Sequence, residues 1–208
     1  MGELTDTATT TVHREVRAGY TDRTITVYQA YSDAIADAAL AAGTFVPPFR
    51  RGRMTWIKPS FLWMAYRCGW ASKRDQERVL AVEVTREGFE WALDHACLSH
   101  YEPATHRSRE DWAERKKRSP VRVQWDPERD VYHRPLPHRS IQIGLGGEAV
   151  EKYVDEWIVG LSDVTATMRR IRGLVAAGRV DEAVGSLPPE RPYPLGEGTA
   201  ATVGASRR

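Results

Sequence analysis

Arg53-Met-Thr-Trp-Ile-Lys-Pro-Ser-Phe-Leu-Trp-Met-Ala-Tyr-Arg67 is the stretch on which the fold turns. Arg53 to Ile57 can extend as a strand, with Arg53 and Thr55 on one face and Met54 and Trp56 on the other. Pro59 suits the first turn of a helix, where its fixed φ costs nothing and its missing N–H is not needed. Trp63, Tyr66, Arg67 and Trp70 then recur at helical spacing, and Gly69 is placed to end the helix. A strand therefore feeds a helix through a short turn that carries Lys58 and Ser60. The N–H groups of such a turn have no intrahelical acceptor and attract anions. Lys58 and Ser60 with Arg53, Trp56, Trp63 and Arg67 are candidates to hold a phosphate. The alternative leaves Lys58 solvated and makes Ser60 only a cap.

Working outward, Thr24 to Tyr28 is β-branched and aromatic and predicts a strand. Ser32 offers a cap to a short alanine-faced helix that Gly43 would stop. Val46 to Gly52 must be a loop, since its prolines and glycine exclude regular pairing. Val79 to Val84 predicts a third, buried strand, and Phe89 to Leu98 a helix. A polar, charged stretch from Ser99 to Ser119 follows. Val121, Val123 and Trp125 alternate with Arg122, Gln124 and Asp126, and Ile141, Ile143 and Leu145 alternate with Ser140, Gln142 and Gly144: two half-buried strands. Val150, Tyr153, Val154, Trp157, Ile158 and Leu161 share one helical face. Ser162 would cap a further helix ending at Gly178, and Val180 to Val184 adds a short helical turn. The order does not repeat as βαβ units, so the expected class is α+β, a mixed sheet with flanking and C-terminal helices. One domain is expected over residues 13–195, with 1–12 and 196–208 as flexible tails.

Composition narrows the function classes. The 208 residues are 41% hydrophobic and 28% charged, an ordinary balance for a folded domain. A formal net charge of +2 means that nucleic-acid binding would have to come from local clustering. No apolar run approaches the roughly 18 residues of a membrane span, and residues 1–12 lack the pattern of a signal peptide. The two cysteines, Cys68 and Cys97, make no disulfide framework, so a cytoplasmic location is expected.

Further constellations compete with the first. The polar face of the two late strands could form one hydrogen-bonding surface, or could simply face solvent. Arg115, Lys116, Lys117 and Arg118, with Arg122 beyond them, resemble a segment that contacts RNA or DNA, although Glu110, Asp111 and Glu114 dilute the run. Gly144-Leu-Gly146-Gly-Glu-Ala149 fits G-x-G-x-x-A, yet no second strand with an acidic end follows it, so a tight strand-to-helix turn is the better reading. His95, Cys97, His100 and His106 lack metal-ligand spacing, and no metal site is assigned.

Val27 to Tyr31, Arg53 to Trp63, Ser119 to Arg129 and Arg139 to Leu145 resemble a bacterial and fungal family, domain of unknown function 4291, over about residues 14–195. The order of elements is also similar to that of ADP-ribosyltransferases, glycosyltransferases that hold NAD in a split sheet. That similarity implies a split sheet here, NAD as cofactor and a bacterial transferase acting on a nucleotide, with a nucleic acid as acceptor or an RNA phosphate as target. By analogy Tyr28 and Gln29, Thr55 and Trp56, and Gln142 occupy the signature positions, with Gln29, Thr55 and Gln142 in the catalytic places. The family's glutamate has no counterpart, since Gln142 cannot act as a base. If basic residues instead hold a phosphate, Arg17, Arg53, Lys58, Arg67 and Arg139 are implied. The rival expectation is a non-catalytic nucleic-acid-binding domain that uses basic residues and tryptophans.

Overall fold

The structure, a computed structural model, describes residues 13–206. A short strand β1 (Arg17–Ala18) leads into β2 (Thr24–Tyr31), α1 (Asp33–Ala42), β3 (Thr55–Ile57) and α2 (Phe61–Cys68). Next come β4 (Arg78–Thr85), α3 (Arg86–Asp94), β5 (Ala96–Leu98), α4 (Arg109–Arg118), β6 (Val121–Arg129) and β7 (Pro135–Leu145). The chain ends with α5 (Glu148–Lys152), a π-helical turn at Tyr153–Trp157, β8 (Ile158–Asp163), α6 (Thr165–Ala176), α7 (Val180–Gly185), β9 (Arg191–Pro192) and α8 (Glu197–Val203). This is an α+β fold with mixed sheets and C-terminal helices, as the order of elements predicts.

The strands divide into two main sheets, ordered β2-β4-β8 and β3-β7-β6-β5, with β1 and β9 as a separate pair. The first sheet is antiparallel, and β2 and β4 pair from Thr24↔Thr85 to Tyr31↔Arg78. The second is mixed, because β5 runs parallel to β6 while β6, β7 and β3 are antiparallel.

Alternation explains how the sheets pack. Ile25, Val27, Leu80 and Val82 face a core shared with Val121, Val123, Ile141, Ile143 and Leu145 of the second sheet. Their neighbours Tyr28, Val79 and Ala81 face a second core with Phe61, Met64 and Cys68 of α2 and Met168 and Ile171 of α6. Burial on both faces is why Val79 to Val82 is continuously apolar, until Glu83 turns outward to solvent.

Three segments depart from expectation. The helix predicted to run to Leu98 ends at Asp94, and Ala96, Cys97 and Leu98 form β5, all at most 3% exposed. Three successive buried residues suit a strand covered on both faces and cannot share one helical stripe. The helix expected through Leu161 stops at Trp157, and Ile158–Asp163 becomes β8 against the open edge of β4. Ser162 thus lies in a strand, and α6 starts at Thr165 with Val164 at its N-cap. Trp157 is seated over Gly88, where a Cβ would lie 2.3 Å from the indole Cγ. The third departure is 196–206, expected as a tail. Glu197–Val203 is a helix, Val203 is buried, and its carbonyl accepts a 2.7 Å bond from Trp125 Nε1. The tail predicted at 1–12 lies outside the described residues, as do residues 207 and 208.

Candidate functional site

Among the described residues, one backbone bridge joins the two main sheets, which otherwise meet through their shared core. Tyr28 and Lys58 exchange both backbone bonds, Tyr28 N to Lys58 O at 2.7 Å and Lys58 N to Tyr28 O at 3.2 Å. Beyond that bridge β2 and β3 part, and a side chain replaces the missing ladder. The Gln29 amide nitrogen donates to Thr55 Oγ1 at 2.6 Å, to Tyr31 Oη at 2.9 Å and towards the Trp56 carbonyl at 3.3 Å. Its carbonyl oxygen accepts from Tyr153 Oη at 2.7 Å, and the Tyr31 and Thr55 hydroxyls lie 2.9 Å apart. Burial pushes the phenols of Tyr31 and Tyr153 upward, so both remain protonated donors. A satisfied, buried polar network of this kind is rigid and fixes how far the strands separate.

The opening so formed is a cleft of about 600 Å³, a size suited to a nucleotide-like ligand. Its lining includes Gln29, Thr55 and Gln142, and also Arg53, Trp56, Lys58 and Arg67. The Lys58 turn and the Gln142 strand therefore share one cleft. Gln124, from the polar face of the late strands, also lines it, as does Arg50, which the sequence did not single out. Among the described residues, four cations and no carboxylate line this cleft. Arg50, Arg53 and Arg67 have no hydrogen-bond or ion-pair partner for their guanidinium groups among the described residues. Arg51, one position away, is instead committed to Asp155 and Glu151. The indole of Trp56 is held flat by Gly144, where a Cβ would come within 2.9 Å of its ring carbons. The glycine of the G-x-G-x-x-A stretch thus admits a tryptophan, and Gly147, at φ 50°, makes the turn into α5.

Lys58 sits at the floor, 5% exposed, and among the described residues its amine donates only towards the Trp56 carbonyl at 3.4 Å. The Trp63 ring lies 5.5 Å away. Burial pushes the amine down to about 7, aided by the Arg67 guanidinium and opposed by the Asp126 carboxylate. Asp126 is placed by Gln142, whose amide nitrogen donates to it at 2.7 Å and to Gln124 Oε1 at 2.7 Å. The polar faces of β6 and β7 are therefore one hydrogen-bonded surface, registered Gln124↔Gln142 and Asp126↔Ser140.

The other expected members lie elsewhere. Ser60 is the N-cap of α2 and accepts from Trp63 N at 3.1 Å. The Phe61 N–H beside it donates to Glu190 Oε1 at 2.7 Å, so a carboxyl of the chain occupies the expected anion site. The Tyr28 ring packs on Phe61 in the second core, and Trp63 stands behind Lys58. Arg139 donates to the Trp125 carbonyl at 2.8 Å, and Arg17 pairs with Glu15. Tyr28, Ser60, Trp63, Arg139 and Arg17 are thus outside the cleft lining. Replacing Ser60 with Ala should cost about 1 kcal/mol in a urea titration and leave ligand affinity within about twofold. A larger loss of affinity would give Ser60 a binding role after all.

Burial, helped by the Glu128 carboxylate, pushes the Glu190 carboxyl up to about 8. A carboxyl that holds its proton more tightly in the folded than in the unfolded chain favours folding at low pH. That contribution declines as pH rises from about 4.3 through 8. Glu190→Gln should flatten this decline, so its stability relative to wild type should improve steadily over that interval in denaturant titrations. Parallel curves would refute the assignment.

The basic run also has a structural use. Arg115 donates to the Ala96 carbonyl at 3.0 Å, Lys116 to Ser99 at 3.1 Å and Trp112 Nε1 to Leu98 at 2.8 Å. These bonds cover the carbonyls along the free edge of β5. Arg122 donates to the Ser119 carbonyl at 2.7 Å and to that of Lys116, closing the end of α4. Lys117 pairs with Glu114 on the surface, and Arg118 is exposed. His95 stacks on Trp91, Cys97 is buried and His106 bonds the Glu102 carbonyl, each with a local role. No described group of three or more His, Cys, Asp and Glu residues is placed to hold a metal ion. No described helix is long and apolar enough to cross a membrane.

A search of curated proteins returns no match to this chain. A family model, described as "Domain of unknown function (DUF4291)", matches residues 15–193, from β1 through β9 and so across both sheets and the cleft between them. The match covers most of the sequence, and the chain belongs to the DUF4291 family.

Proposed function

We propose that the cleft at the parting of β2 and β3 binds a phosphate-bearing nucleotide, NAD in the first instance, and that the chain is an ADP-ribosyltransferase-like domain. One observation carries this reading: two strands separate at the Tyr28–Lys58 bridge, and among the described residues the opening is lined by three guanidinium groups and Lys58 and by no carboxylate. Guanidinium groups suit phosphate because their planar donors meet its oxygens in pairs. Among the described residues Arg50, Arg53 and Arg67 are unpaired, and they are available for a pyrophosphate. Trp56 offers a flat apolar surface for a base, and Gln124 and Gln142 offer donors and acceptors for ribose hydroxyls.

The transfer requires that the glycosidic C1′–N bond of NAD break, nicotinamide leave and a bond form from C1′ to an acceptor oxygen or nitrogen, which gives up a proton. Asp126 is outside the residues that line the cleft, held by Gln142, and acts through space to favour positive charge developing at C1′. Gln142 aims that carboxylate through their 2.7 Å bond and is no base itself. Gln29 and Thr55 act by holding the cleft open rather than by touching the reacting atoms.

The test is incubation with NAD radiolabelled in the adenylate part, together with RNA, DNA and lysate proteins as acceptors. Label that appears on an acceptor and is lost in Asp126→Asn supports the reading and identifies the acceptor class. No transferred label, together with no NAD binding by calorimetry, removes it.

A further inference from the structure

Lys58 is unusual among the five lysines of the chain, Lys58, Lys73, Lys116, Lys117 and Lys152. Lys116 donates to the Ser99 carbonyl, Lys73 to that of Arg67, and Lys117 and Lys152 pair with Glu114 and Glu156. Lys58 alone lines the cleft, is 5% exposed and has no carboxylate within ion-pair distance among the described residues. The charged groups around it are Arg67 from α2 and Asp126 from β6, with the buried Cys68 beside Arg67. Arg53, approaching β3, and Arg50, in the preceding loop, share its cleft. A desolvated amine beside a guanidinium is disfavoured as a cation, and a neutral primary amine is a nucleophile towards carbonyl carbon.

We propose that Lys58 is an imine-forming residue that captures a phosphorylated sugar aldehyde whose phosphate is held by Arg50, Arg53 and Arg67. This rests on the reading of the cleft as a phosphate site and adds a covalent step to it. The Nζ lone pair adds to the aldehyde carbon, and the carbonyl oxygen takes up a proton to give a carbinolamine. Loss of the hydroxyl with a nitrogen-bound proton, as water, leaves the C=N bond. No oxidant or reductant is consumed. The amides of Gln124 and Gln142 face the same cleft and suit the sugar hydroxyls. Free ribose phosphates have the required aldehyde in their open-chain form, as does the ribose exposed when an N-glycosidic bond is hydrolysed.

The burial that sets Lys58 apart also sets the size of the effect. Burial brings the Lys58 amine down to about 7, so a substantial share of it is neutral at pH 7, where an ordinary lysine is almost wholly protonated. The full chain is therefore treated at pH 7 with ribose 5-phosphate and cyanoborohydride, which reduces an imine to a stable secondary amine, and the five lysines are mapped by peptide mass spectrometry. The expected result is an adduct on Lys58 in about tenfold or greater excess over each other lysine, competed by inorganic phosphate and weaker with unphosphorylated ribose. Lys58→Arg, checked for folding by circular dichroism, should carry no such adduct. An unmodified Lys58, labelling no greater than at the surface lysines, or equal labelling by unphosphorylated ribose would each overturn the proposal. Calorimetry with NAD separates the two readings. An adduct without NAD binding removes the NAD reading alone, and NAD binding without an adduct removes the imine.

Discussion

Replacing Arg53 and Arg67 together by alanine is expected to weaken ADP binding about 100-fold while leaving the fold intact. Both guanidiniums line the cleft, and neither has a partner among the described residues that would be stranded by its loss. A hydrogen bond to a charged group is worth about 1.5–3 kcal/mol, and exposure at the rim places these two at the lower end. Two such losses give roughly 3 kcal/mol, or about two orders of magnitude in Kd. The binding should also become less sensitive to salt, because fewer cations contact phosphate. The measurement is an ADP titration by calorimetry at two ionic strengths, with thermal unfolding as the control. Arg51→Ala is the contrasting variant, since that residue is engaged with Asp155 and Glu151 and should leave affinity almost unchanged.

The second large effect concerns the wall of the cleft. Gln29→Leu is close to isosteric but removes every polar partner that the Gln29 amide supplies. Tyr153 Oη loses its bond to Gln29 inside a site where the tyrosine is 0% exposed, and Thr55 and Tyr31 lose a donor. Leaving one buried polar group unsatisfied costs about 1–3 kcal/mol, and here one is fully stranded while two keep each other. The expected loss is about 3 kcal/mol in a denaturant titration, with unchanged slope. Tyr153→Phe removes the stranded hydroxyl, so in the Gln29→Leu background it should recover about 1 kcal/mol or more. If Gln29→Leu proves neutral, the network does not hold the strands apart as described.

Much of this arrangement is legible in the sequence where local signals and tertiary needs coincide. Within the block from Arg53 to Trp70 a strand turns into a helix whose ends Ser60 and Gly69 mark, although Pro59 lies before the cap rather than in the first turn and Trp70, at φ 57°, lies beyond the helix. The alternation in Val121 to Trp125 and Ile141 to Leu145 likewise leaves one face for the core and one for the cleft. The misread segments share a different cause. Ile158 and Leu161 continue the periodicity of the preceding helix, and Ala96 and Cys97 that of α3, yet both segments end in strands. In so short a run, helical spacing and a strand edge are indistinguishable locally. The open edge of β4 and the parallel partner β6 decide the outcome. The segment after Gly196 is rich in small residues that carry little helical signal, and it is fixed by the bond from Trp125, 78 positions away in the chain.

The site divides in the same way. Gln29, Thr55, Trp56, Lys58 and Gln142 stand out by local pattern and by resemblance, and they converge in one cleft. Tyr153 and Glu190 act through contacts 124 and 129 residues distant and leave no local trace of their role. A weak signal exists for Tyr153, because a tyrosine on a buried helical face needs a partner for its hydroxyl. Glu190 lies in a proline-rich stretch, and nothing there announces that its carboxyl caps α2. The basic run of α4 shows the converse. Its charge pattern resembles a binding surface, and its geometry covers a sheet edge with three side-chain donors.

The most direct test of the nucleotide cleft is photo-affinity labelling with an azido derivative of NAD, followed by peptide mapping. The account predicts label on the peptides that carry Gln29 to Tyr31, Arg53 to Lys58 and Gln142, suppressed by excess unlabelled NAD and lost in the Arg53→Ala/Arg67→Ala variant. Label on the Arg109–Arg118 helix instead, or labelling that excess NAD does not suppress, would contradict it.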